Sequence, residues 1–326
     1  MSDLQRTPTV SVVIPLYNKG PHIARAIDSV LAQSERDFEI VVVNDASTDG
    51  GAESVGRYSD RRIRLIHRDA PGPGGHAARN AGIKAASAPL IAFLDADDNY
   101  NPEFLAVILG LEKKYEEAGA FGTSFEIVRG NRKTVSRTSS LRGAGTPDVL
   151  VRDYFRDALS GFVICSSATA IRREIFDVVG MFPEGVPLGG DLEMWMRVGA
   201  RYPIAVSRYV GAVYHKDAVN RTDTGRIQGR EYELVSTGLR LLSSGGLDMN
   251  RRRNLREHVS MYQLKTAAQL VLLGQRRRAR KILLQSRTRR FLLSKVWWLF
   301  WTLMPASVTV RAQRIKRIIA GPGGGW

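Results

Sequence analysis

Apolar residues come in two rhythms along the first 120 positions of this 326-residue chain, and the rhythms alternate. "TVSVVIP" (9–15) is a β-branched run stopped by Pro15. In "GPHIARAIDSVLAQ" (20–33), Ile23, Ala26, Ile27, Val30 and Leu31 recur at helical spacing, with Pro21 suited to the first turn. "FEIVVVND" (38–45) and "IRLIHR" (63–68) predict a second and a third strand. "GGHAARNAGIKAAS" (74–87) predicts a small-residue helix, "PLIAFLDADD" (89–98) a fourth strand, and "NPEFLAVILGLEKKYEEAG" (101–119) a helix entered through Asn101 and Pro102. Strands separated by helices imply parallel pairing through right-handed crossovers, an α/β sheet covered on both faces. Residues 129–150, rich in Ser, Gly and Arg, predict a mobile loop. A strand, a short helix, a Gly/Pro loop and a helix from near Asp191 should follow. No repeat of fixed period occurs, which excludes solenoid folds.

Ligands of such sheets bind beyond the carboxyl ends of the strands. The segments there are "PLYN" (15–18), "NDASTDG" (44–50) and "DADD" (95–98). A dinucleotide fold would place a Gly-rich turn at the first, and its absence counts against a nicotinamide or flavin enzyme. Tyr17 and Asn18 could stack on and bond a nucleobase, or Tyr17 could be packing. Asp45 could accept bonds from a ribose, or belong to a capped turn built by Ser47, Thr48, Asp49 and Gly50. Asp95, Asp97 and Asp98 repel one another. Helix capping accounts for Asp98 or Asn99 but not for Asp95, which directly follows a buried run. A divalent Mg²⁺ or Mn²⁺ shared with phosphate would account for all of them.

Together these stretches resemble the family 2 glycosyltransferases, inverting enzymes with the GT-A fold, a Rossmann-like, mostly parallel sheet flanked by helices. Residues 9–104 match that pattern almost throughout, and the likeness continues thinly over 160–222. The resemblance implies that Pro15, Tyr17, Asn18 and Asp45 cradle the base and ribose of a nucleotide-sugar, most often a UDP-sugar, with Arg79 near the donor. Asp95 and Asp97 would be the DxD motif, Asp95 facing the ribose or sugar and Asp97 the metal, with Asp98 able to replace either. "GGDLEMWMRVG" (189–199) is similar to the acceptor-side motif, with Asp191 as catalytic base and Gly190 where the first acid of a pair is expected. Without the resemblance, Asp191 reads as a helix N-cap and Glu193 with Arg197 as a surface pair. His215 stands where many members carry a histidine near the metal or acceptor, and is otherwise structural. An α-linked donor would give a β-linked product.

Charge separates the chain into two parts. Residues 1–223 hold 27 Lys and Arg against 28 Asp and Glu, whereas 224–326 hold 21 against 4, so the net +16 lies in the last third. This divides a catalytic domain, 1–223 (donor half 9–128, acceptor half 160–223), from a basic helical extension, 224–326. "FLLSKVWWLFWTLMPASVTV" (291–310) is broken as a span by Lys295 and Pro305. Its tryptophans sit between Arg287, Arg289 and Arg290 on one side and Arg311, Arg314, Lys316 and Arg317 on the other. That composition suits a helix in the interface of an anionic membrane, or aromatics packed on the catalytic domain or a second subunit in an oligomer. Nucleic acid is not expected, because aromatic and basic residues are not interleaved. A single Cys165 and a start without a secretion signal point to the cytoplasm, peripheral to the inner membrane face. The partners implied are a nucleotide-sugar and a saccharide or lipid-linked acceptor. The alternative is a non-catalytic nucleotide-binding adaptor with a membrane-binding tail.

Overall fold

A computed structural model describes residues 7–218 and 229–304. The chain divides into two compact units, Met1–Thr222 and Asp223–Trp326.

The first unit opens with the expected alternation: β1 Val10–Leu16, α1 Gly20–Leu31, β2 Phe38–Asn44, α2 Gly51–Gly56, β3 Ile63–His67, α3 His76–Ala85, β4 Leu90–Phe93 and α4 Phe104–Lys114. β3, β2, β1 and β4 lie side by side and all pair in parallel. β1 and β2 are the centre, and nearly every residue in them is buried. Pro15 is tolerated in that central strand for a local reason. Val13 is the last residue of β1 that pairs with β4, so the N–H that Pro15 lacks faces a neighbour that has already left the sheet. β4 is shorter than its apolar run suggested, and "LDADD" is a turn rather than strand. The helix after it starts at Phe104 behind Glu103, so neither Asp98 nor Asn99 caps it.

The unit continues with β5 Asn99–Tyr100, β6 Ala120–Arg129, β7 Arg132–Ser136, β8 Asp148–Val151, α5 Tyr154–Ala158, β9 Thr169–Arg172, α6 Arg173–Val179, α7 Gly190–Arg201 and β10 Ile204–His215. Among the described residues, ten strands form one sheet in the order β3-β2-β1-β4-β9-β6-β10-β5, with β7 on β6 and β8 on β10. β9 runs antiparallel between β4 and β6. The stretch 129–150, expected as a mobile loop, is built into this sheet at both of its ends. Arg129 pairs with Arg132 across a two-residue turn whose Gly130 has φ 53°, and Asp148–Val151 pairs with β10. Polar composition misled here because this hairpin is an exposed edge, where strands carry charge rather than a buried face.

α3 packs closely on β1. A Cβ at Gly82 would lie 2.3 Å from Val13 Cγ1. Gly82→Ala is therefore expected to destabilise the protein by about 1–3 kcal/mol, measured by denaturant unfolding. A loss within about 0.5 kcal/mol of zero, the scatter of neutral surface changes, would refute the close approach.

The second unit is helical: α8 Glu233–Ser244, α9 Met249–Leu272, α10 Arg276–Gln285 and α11 Leu292–Leu303. Leu264, Ala267, Leu270, Val271, Ala279 and Leu283 make its core, and Trp298, Leu299 and Trp301 pack against it. Two of its rare acids are anchors. Asp248 caps α9, and buried Glu257 accepts the backbone N–H of Arg289 (2.8 Å) and Arg290 (3.3 Å), fixing the turn into α11. Among the described residues no helix is long and apolar enough to cross a membrane. Pro305, Arg311, Arg314, Lys316 and Arg317 lie outside the described residues.

Candidate active site

At the end of β1, Tyr17 stands 47% exposed, free to stack on a planar ligand. Asn18 is turned toward the neighbouring strand end. Its Oδ1 accepts the N–H of Thr48 (2.8 Å) and its own N–H donates to Ser47 Oγ (3.1 Å), so it welds the first two strand ends together. Among the described residues, the two non-glycine residues with left-handed φ are Asn18 (50°) and Ala46 (57°), one at each of these ends. Such strain persists where the surroundings over-determine it, commonly at functional sites.

Asp45, Asp95 and Asp97 each carry one cation. Asp45, fully buried, is paired with Arg68 and accepts the N–H of Gly72 (3.0 Å). Asp95 is paired with Arg79, and Asp97 holds Lys19 Nζ at 2.7 Å while Arg25 bonds its backbone carbonyl. Within "DADD" the repulsion is thus partly offset by Arg79 on Asp95 and Lys19 on Asp97, from two other segments. Lys19 and Arg68 were not legible as candidates from composition. The rule that flagged Asp45 would have flagged both, since Lys19 follows the first strand and Arg68 directly follows the third.

Asp98 takes no part in the open site. It is 0% exposed, accepts the Ser167 hydroxyl and accepts the N–H of His215 at 2.9 Å. Burial, with Asp95 and Asp97 adding like charge, holds its carboxyl well above the usual range. Asp95 and Asp97 keep partly exposed side chains, 29% and 14%. His215 places Nε2 2.8 Å from Asn99 Oδ1, and burial, then Arg25, lowers its pKa. Nearby His22 has a buried Nε2 with no partner.

α7 begins at Gly190 behind Gly189 (φ 81°) as N-cap, so Asp191 is the second helical residue and not a cap. Its Oδ1 accepts the N–H of Leu192 (2.9 Å). Burial raises its pKa, with Arg79 opposing and Asp95 adding to the rise. Arg79 is therefore electrostatically common to both sides. Glu193 and Arg197 do form an i,i+4 pair, but a buried one. Arg197 bonds both Glu193 oxygens at 2.7–2.9 Å and the carbonyls of Gly180 and Met181 (3.0 and 2.7 Å), locking the loop before α7.

Among the described residues no three His, Cys, Asp or Glu side chains gather as a self-sufficient metal centre. A hard cation bound mainly through phosphates needs only one or two carboxylates. Asp97 fits that need, with Lys19 as a resident cation on one of its oxygens.

Comparison with known proteins agrees with this architecture. Residues 11–180 match glycosyl transferase family 2, and the chain belongs to that family. An uncharacterised glycosyltransferase of Nostoc sp. is 34% identical over 173 residues, 52% of either chain. The succinoglycan biosynthesis protein ExoO of Rhizobium meliloti is 41% identical over 125 residues, 38% of this chain and 34% of its own. The chain spans about half or less of these curated relatives. Staphylococcus aureus TarS 1–349 in complex with UDP-GlcNAc superposes with TM-score 0.70 at 18% identity, covering 84% of this chain and 79% of that one. A Pyrobaculum calidifontis mannosyltransferase in complex with GDP-Man and Mn²⁺ gives 0.58 at 20% identity, over 98% and 89%. These likenesses establish a GT-A type fold.

Proposed function

We propose that this chain is an inverting glycosyltransferase that moves a sugar from a nucleotide-sugar, with a UDP-sugar favoured, to a hydroxyl of a saccharide or lipid-linked acceptor. The observation that carries the reading is Arg79, paired with Asp95 while its charge, like that of Asp95, acts on Asp191, whose burial-raised pKa it opposes. On this reading two carboxylate groups with different tasks flank the reacting sugar. The acceptor oxygen attacks the anomeric carbon, the bond from that carbon to the diphosphate breaks, and the acceptor proton passes to Asp191. Tyr17 stacks on the base and Asp45 orients the ribose through the Arg68–Gly72 loop. Arg79 and Lys19 face the charge that develops on the departing diphosphate. Asp97, with Asp95 beside it and His215 at the rim, would hold Mn²⁺ or Mg²⁺, which when bound supplies Lewis-acid neutralisation of that diphosphate. The test is a panel of UDP- and GDP-sugars with Mn²⁺, read as release of nucleoside diphosphate. Release from one donor with a β-linked product supports the reading. UDP binding without release from any donor would favour the adaptor alternative.

The second unit suits attachment to an anionic surface, on the inner face of a membrane. Leu293 (87% exposed), Val296, Trp297, Phe300 and Leu303 line one exposed side of α11, while Arg287, Arg289 and Arg290 stand exposed before it. An apolar stripe bordered by arginine is the pattern of a helix lying in the interface. The protein is expected to sediment with vesicles containing phosphatidylglycerol and not with pure phosphatidylcholine. Trp297→Glu should weaken that binding by about tenfold or more, since it puts a charge where an exposed aromatic would enter the membrane interface. Unchanged sedimentation of the variant would remove α11 from the contact.

A further inference from the structure

The departure at Gly190 has a counterpart 114 positions earlier in His76. The imidazole is 3% exposed, and its Nε2 would lie 2.5 Å from a Cβ built on Gly190. The same ring would lie 2.9 Å from a Cβ at Gly74, whose φ is 73° and whose own added Cβ would meet Val186 O at 2.5 Å. Two glycines, one on either side, thus make the room this ring occupies. It is stacked on Phe182 (centroids 6.0 Å, planes 9° apart), and Phe182 meets Trp195 of α7 edge-on at 5.8 Å. Asn80, four residues on along α3, accepts the N–H of Phe182 (3.0 Å) and donates to its carbonyl (2.9 Å) and to Glu184 (2.9 Å). Arg79, between them in sequence, holds Asp95 and approaches His76 Nδ1 at 3.5 Å. One turn of α3 therefore grips a donor-side carboxylate with one residue and the segment leading into α7 with two others.

We propose that His76 is a positioning residue that sets Asp191 against the donor side, filling the place that a side chain at position 190 would occupy. The inference rests on the glycosyl-transfer reading above. Three observations favour this role over ordinary core packing. The ring's Nε2 is buried with no hydrogen-bond partner, a cost that an apolar side chain of the same volume would avoid. Burial, then Arg79, lowers the ring's pKa to about 3, so the group set against the residue before Asp191 is neutral and adds no second negative charge there. Its contacts are to the residue preceding Asp191 and to the arginine on Asp95, the two groups whose spacing decides transfer.

The test is a double-mutant cycle on the full chain using Gly190→Ala and His76→Ala, read as kcat and donor KM with the best donor of the panel. Gly190→Ala should lower kcat by about 10–10²-fold, the scale of a misplacement near 1 Å, while donor KM stays within about twofold. In the His76→Ala background the same added methyl should cost little, because the ring it strikes is gone. Thermal melting and UDP affinity guard against misfolding. If His76→Ala does not fold, His76→Asn vacates the same space and replaces it in the cycle. Equal costs of Gly190→Ala in both backgrounds would overturn the proposal, as would a fall in melting temperature with kcat unchanged. Absence of turnover in the wild type, with every donor, would defeat the transfer reading instead. The ring signals of His76 and the Nε–H signal of Arg79 in NMR then decide the contact without substrate: both should move in Gly190→Ala, and stationary signals would overturn it.

Discussion

Asp191→Asn is expected to lower kcat by about 10²–10⁴-fold, the usual contribution of a positioned general base, with UDP affinity retained. The amide keeps the size of the carboxylate and can still accept the N–H of Leu192, so α7 should start as before. What is lost is the site for the acceptor's proton. Burial raises the pKa of Asp191, and a base acts only when deprotonated. In the wild type kcat/KM should therefore fall as pH drops through that raised value, with the acid limb above the range of an exposed carboxylate, about 3.9. That limb should be missing from the residual activity of the variant. A pH profile in which wild type and Asp191→Asn share the same acid limb would assign the base elsewhere.

Asp97→Ala is expected to lower turnover by about 10²-fold or more, because Lewis-acid neutralisation of a leaving diphosphate supplies several kcal/mol at the transition state. It also strips Lys19, with a side chain only 11% exposed, of its 2.7 Å partner. Lys19→Ala keeps the carboxylate but removes both the ion pair and a cation facing the diphosphate, so its turnover should fall as well and the comparison rests on metal dependence. Calorimetry separates the two effects. UDP should bind the wild type more tightly with Mn²⁺ than with a chelator, bind Lys19→Ala with the same distinction, and bind Asp97→Ala equally in both. Metal-independent affinity in the wild type together with full turnover of Asp97→Ala would remove the cation from the account.

Much of the donor half was legible in the chain itself. Val10–Ile14 and Phe38–Val43 are β-branched or aromatic runs buried on both faces, and that composition belongs to central parallel strands. Strand ends carry the ligand-facing residues of such sheets, so Tyr17, Asp45, Asp95 and Asp97 could be marked before any coordinates. The excess of basic residues beyond 223 likewise needed only counting.

Other features depended on which distant segments meet. "DADD" permits two registers as a string. Asp98 was turned inward by Ser167, 69 residues away, and by the backbone of His215, 117 away. The cations on Asp45, Asp95 and Asp97 come from β3's end, α3 and the entry to α1, and no local pattern names such pairs. The hairpin over 129–136 was hidden because an edge strand has no buried face to impose alternation. Gly190 read as a missing acid until His76 was found against it. The sequence by itself determined the alternation of strands and helices up to α4, the polar strand ends and the basic character of the last third, because periodicity and composition act through neighbours along the chain. Tertiary structure alone decided which carboxylates stay open, which cations balance them and what occupies the space at position 190, because charge pairing and close packing act through space.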